Sequence, residues 1–117
     1  MRSDFTLQTH TVGRATTLVL NGELDLVSSP ALGRVLDELA ESDAELIVVD
    51  LRGLEFMDST GLHLLVQAQQ QAHDAGRRFA LIRGPEPVQR LFDLTGVADS
   101  LTIVDSPDEL FEAHGAP

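Results

Sequence analysis

Leu46-Ile47-Val48-Val49-Asp50-Leu51-Arg52-Gly53-Leu54-Glu55-Phe56-Met57-Asp58-Ser59-Thr60-Gly61-Leu62 is the stretch on which the fold turns. Its first six residues make a nearly unbroken apolar, β-branched run, the composition of a strand covered on both faces, and mark the expected central strand. Asp58 or Ser59 then supplies a helix N-cap. Leu62, Leu65, Val66 and Ala72 fall on one face of the helix that follows, and Gly76 ends it. Gln67, Gln69, Gln70 and Gln71 are expected to face water. The connection from strand to helix is expected over residues 53–61.

Outward from this unit the pattern repeats. Upstream, Phe5 to Thr9 alternates apolar and polar residues, Val12-Gly13-Arg14 turns, and Ala15 to Leu20 is β-branched and apolar, which predicts a hairpin whose second strand runs to Leu24. Ser28-Ser29-Pro30 supplies an N-cap followed by proline at the first position of an expected helix, and Leu32, Val35, Leu36 and Leu39 recur at helical spacing. Downstream, Phe79 to Ile82 predicts a short buried strand. Val88, Leu91 and Phe92 predict a third helix ended by Gly96, and Leu101 to Val104 a last strand. Ser106, Pro107 and Glu109 form a capping box that opens a terminal helix through Leu110 and Phe111. Strands alternating with helices predict an α/β fold: a mostly parallel central sheet, an N-terminal antiparallel hairpin and about four helices. In such sheets function gathers where a strand's carboxyl end feeds a helix's amino end.

With 117 residues, 43% of them apolar, the chain fits one domain with a genuine core. The absence of cysteine removes disulfides, thiolate nucleophiles and cysteine metal sites. The longest apolar runs are four residues, far short of the ~20 that span a bilayer. Met1 to Phe5 has no apolar stretch of the secretory kind, so a cytoplasmic location, away from membranes, is expected. Nineteen acidic residues against eight arginines give a net charge of −11, which repels a phosphate backbone and argues against direct nucleic-acid binding.

No phosphate-binding glycine loop, dinucleotide fingerprint, nucleophile elbow or zinc-protease pair occurs. His10, His63, His73 and His114 match no metal spacing, so no metal, cofactor or catalytic residue is assigned. Glu23, Asp25, Asp50, Glu55 and Asp58 are carboxylates near the central junction, best taken as solvated loop charges. The informative stretch is Asp50 to Leu62: taken alone, Asp58 or Ser59 is simply the N-cap of the second helix and Gly61 allows close packing, while a hydroxyl at that helix N-terminus would also sit among unpaired amides and a positive dipole end that tolerate a phosphate.

Asp58-Ser59-Thr60-Gly61, Gly22-Glu23-Leu24-Asp25 with Pro30-Ala31-Leu32, and Val88 to Val97 occur in the order of the STAS domain family's segments, so the chain resembles that family over about residues 5–113. Within the family it is most similar to the single-domain anti-sigma factor antagonists of bacteria. The resemblance implies one STAS domain over residues 1–117. It implies a partner-switching protein, not an enzyme: the antagonist binds an anti-sigma factor that is also a serine kinase, frees the sigma factor for transcription, is released when the kinase phosphorylates it, and is reset by a phosphoserine phosphatase. Carried over by position, the phosphoacceptor is Ser59. Asp25, Asp58, Thr60, Gly61 and His63 are the implied partner-binding residues, and the free protein is expected to be a monomer. Many relatives carry glycine where this chain has His63.

Two rivals stand beside this expectation. One is a STAS domain acting as an unphosphorylated scaffold in a lipid-transport ATPase or a stress-sensing complex. The other, ranked last, is a hydrolase with Ser59 as nucleophile, for which His63 is the one base placed nearby.

Overall fold

The computed structural model describes residues 4–110; the expected helical continuation into Phe111, and His114, lie outside them, as do residues 1–3. Two strands, β1 (Phe5–Val12) and β2 (Ala15–Leu24), form the N-terminal hairpin, antiparallel and in register from Phe5↔Gly22 to Val12↔Ala15. Helix α1 (Ser29–Ala40) leads to β3 (Leu46–Met57), α2 (Ser59–Asp74) to β4 (Arg78–Ile82), and α3 (Glu86–Thr95) to β5 (Ile103–Val104). The last described residues, 107–110, begin a further helix, α4. The sheet order is β1-β2-β3-β4-β5, with every pair after the hairpin parallel. Among the described residues no helix is long and apolar enough to cross a membrane.

Strand alternation divides the apolar residues between two layers. Leu18, Leu20, Ile47, Val49, Leu51 and Leu81 face α1, α2 and α3, whose Leu32, Leu36, Leu62, Leu65, Val88 and Phe92 complete the main core. On the opposite face Leu46, Val48, Ala80 and Ile82 form a smaller cluster with Leu110 of α4. Burial on both faces explains why residues 46–51 carry almost no polar alternation. The α1 C-terminus is closed from a distance, where Arg77 donates to the carbonyl oxygens of Leu39, Ala40 and Ser42.

Several expectations need correction. The strand does not end near Gly53 but continues to Met57, so the connection into α2 is the single residue Asp58. Past Asp50 the strand pairs only with β2, whose register shifts at Val19/Asn21 and Gly22/Glu23 keep the two strands together up to Leu24↔Met57. A side chain at Gly53 would collide with Asn21 and the Leu20 carbonyl, which is why the close pairing takes a glycine there. The last strand is only the two residues Ile103–Val104, and a 3-10 turn, Ala98–Ser100, stands ahead of it. Gln69 does not face water: it is half-buried, and its Oε1 is buried without a hydrogen-bond partner. In the α4 capping box the Glu109 carboxylate accepts from the amides of Asp105 and Ser106.

Asp50, too, is no solvated loop charge. It lies within β3, 6% exposed, and its carboxylate accepts a two-pronged contact from Arg52, Nε to Oδ1 at 3.0 Å and Nη2 to Oδ2 at 2.8 Å. Burial alone would raise its pKa. The Arg52 side-chain hydrogen bonds, the Arg52 amide and the guanidinium charge together outweigh burial and hold it below its ordinary 3.8. Its stabilising contribution is therefore present above that ordinary value and lost as pH falls through the lowered one. Asp50→Asn should cost about 1 kcal/mol at pH 7, and the gap from the parent protein should narrow below pH 3.8, as read by urea denaturation at both pH values.

Candidate functional site

The carboxyl ends of β2 and β3 carry two connections that are tied to one another. In the loop from β2 to α1, Asp25 Oδ1 accepts from the amides of Val27 and Ser28 at 3.0 and 3.1 Å. Ser28 stands at the N-cap of α1, yet its backbone is already helical and its side chain caps nothing. The hydroxyl turns back into the loop instead, accepting from the Asp25 amide and donating to the Glu23 carbonyl at 2.7 Å. Local side-chain bonding of this kind competes with capping, and here it wins.

Of the two cap candidates it is Asp58 that caps α2, with extended backbone and Oδ1 accepting from the amides of Thr60 and Gly61 at 2.9 and 3.1 Å. Two of the amides expected to stand open around Ser59 are therefore already taken. The second oxygen, Oδ2, accepts from the Leu26 amide at 3.1 Å, so one carboxylate fastens the α2 cap to the β2–α1 loop. The Asp58 amide donates to the Leu24 carbonyl. Gly61 is buried; a β-carbon there would lie 2.8 Å from Leu24 Cγ and 3.0 Å from Met57 Cγ. Its missing side chain lets the first turn of α2 settle onto the end of the sheet.

Between α1 and α2 runs an open groove of about 510 Å3. Ser59, Thr60 and His63 line it from α2, and Ser29, Pro30 and Leu26 face them. Ser59 and His63 are exposed and Thr60 is half-buried. Among the described residues the Ser59 hydroxyl and His63 have no hydrogen-bond partner. The structure thus gathers Ser59, Thr60 and His63 in one groove and places Asp25 and Asp58 in its supporting loops. Of the other carboxylates near the junction, Glu55 is exposed while Glu23 is half-buried and engaged.

Sequence reasoning passed over Leu26 and Val27, which are 70% and 78% exposed on the loop that Asp58 holds; Phe56, at the end of β3, is 47% exposed. An apolar pair that belongs to no periodic element was the available signal. Asp58→Ala should cost about 0.5–2 kcal/mol through the lost cap, and Gly61→Ala about 1–3 kcal/mol through overpacking. Chemical denaturation measures both.

The STAS domain model matches residues 6–110. The anti-sigma-B factor antagonist of Bacillus subtilis is 38% identical over 82 residues, covering 70% of this chain and 74% of that protein. Its Staphylococcus aureus counterpart is 28% identical over 97 residues, covering 83% and 90%. In three dimensions the chain resembles the crystal structure of an anti-sigma factor antagonist from Mycobacterium paratuberculosis, with a TM-score of 0.85, 22% identity and coverage of 94% and 93%, which bears on the fold. With the family model spanning almost the whole described structure and the sheet, helices and capped serine in their expected order, this chain belongs to the STAS domain family.

Proposed function

We propose that this protein is an anti-sigma factor antagonist that binds an anti-sigma serine kinase through the groove face and is released when Ser59 is phosphorylated. The single observation that carries this is Ser59 itself: an exposed, unbonded hydroxyl at the first turn of a firmly capped helix, beside exposed Leu26 and Val27. A kinase needs the hydroxyl in reach, and a protein partner needs apolar surface to cover. The Bacillus subtilis relative's description as an anti-sigma-B factor antagonist supports the choice of partner class. Ser59 has no base bonded to it, which leaves the hydrolase reading without support from geometry.

Release follows from charge. Phosphorylation adds about −1.5 to −2 charges at pH 7 to a chain already at −11, at a face that the partner must desolvate. The Asp58 carboxylate is next to it. Like charges brought together in an interface cost several kcal/mol, and each ~1.4 kcal/mol is a tenfold loss of affinity. Neither protein needs to refold. A phosphoserine phosphatase then restores the binding form.

The immobilised protein, exposed to extract of its native host, should retain an ATP-binding serine kinase identified by mass spectrometry. Adding ATP should release that kinase from the native sequence and leave it on Ser59→Ala, while Ser59→Asp should bind at least about tenfold more weakly by calorimetry. Capture of a transporter or a large stress complex that ATP does not release would favour the scaffold reading, and equal affinities for Ser59→Ala and Ser59→Asp would remove the switch.

A further inference from the structure

We infer that His63 is a positioning residue for the phosphorylated state, pairing through its imidazolium with the phosphate carried by Ser59 and holding it along the groove wall. The inference rests on the proposed phosphorylation of Ser59 and adds what happens to the phosphate afterwards. Ser59 and His63 stand four residues apart on α2, the spacing that brings side chains together on consecutive turns, and both line the same groove. An anion one turn toward the N-terminus from a cation is also the more favourable order of such a pair. His63 is exposed and, among the described residues, bonded to nothing, so its ring is free to turn toward Ser59.

The surroundings make this neighbour matter. A helix N-terminus ordinarily welcomes a phosphate through its open amides and dipole. Here the Asp58 carboxylate has occupied the amides of Thr60 and Gly61 and sits next to the acceptor, so the site offers a phosphate less than an uncapped helix would. Among the described residues, His63 is the one titratable side chain lining the groove. Across from it stand Leu26, Ser29, Pro30 and Gly33, and one turn further along α2 stands Gln67, all uncharged. Arg34 and Asp37, the first charged residues of α1, are not part of the lining. The facing Ser29 is 5% exposed with its hydroxyl buried, so the opposite wall brings no carboxylate to the groove.

Phosphoserine installed at position 59 during translation allows a direct test by phosphorus NMR titration, with no kinase required. A cation beside the phosphate favours its dianion, so the phosphate's titration midpoint should lie about 0.2–0.4 pH unit lower in the native sequence than in His63→Gln. His63→Lys should restore the lower midpoint, and about 1 M salt should erase the difference. Coincident midpoints for the native sequence and His63→Gln, or a failure of His63→Lys to restore the shift, would overturn the inference. Because the phosphate is supplied by the synthesis, that failure is distinct from failure of the switch itself, which would show as protein from the native host that never carries phosphate on Ser59.

Discussion

One carboxylate organises the end of this molecule where its chemistry gathers. Asp58 satisfies two amides of α2 with one oxygen and the Leu26 amide with the other, so the helix start and the neighbouring loop are a single hydrogen-bonded unit. Without it, the Leu26 amide and the first turn of α2 would both lose their acceptor, and the side-chain tie between the loop and the start of α2 would be lost. The position admits no slack, because Asp58 is the whole connection between β3 and α2. Gly61 completes the arrangement by allowing that first turn to rest against Leu24 and Met57.

Most of the architecture could be read from the chain because local and global signals agree in it. The unbroken run at residues 46–51, the helical spacing of Leu32, Leu36, Leu62 and Leu65, and the left-handed Gly96 that ends α3 each specify an element without help from distant residues. The boundaries that were missed depend on tertiary partners. Residues 53–57 look like a loop because they include a glycine and a glutamate, yet they pair with β2 across two register shifts. Ser28 looks like a cap because serine usually is one, and only the position of Glu23 and Asp25 shows why its hydroxyl goes elsewhere. The bonding of Asp50 to Arg52 two residues on was equally invisible to charge counting.

The site was legible in part. Ser59 at the start of a capped helix follows from the Asp-Ser-Thr-Gly sequence at a strand-to-helix junction, and the structure leaves that residue exposed. The opposing wall was not legible, because the groove comes from the packing of α1 against α2, which brings residues 26–30 to residues 59–63 with no trace in sequence spacing. Leu26 and Val27 gain meaning only once that loop is seen to be held against α2.

The loop between β2 and α1 has a kinetic consequence. Asp25, Ser28 and Asp58 between them hold four consecutive backbone amides, those of Asp25, Leu26, Val27 and Ser28. A segment immobilised so thoroughly in the free molecule has little disorder left to surrender on contact, which spares the ordering penalty that mobile recognition loops incur. For the proposed partner docking on this loop, association would then be governed by diffusion and orientation, in the range of about 10^5–10^7 M−1 s−1, without a slow rearrangement in between.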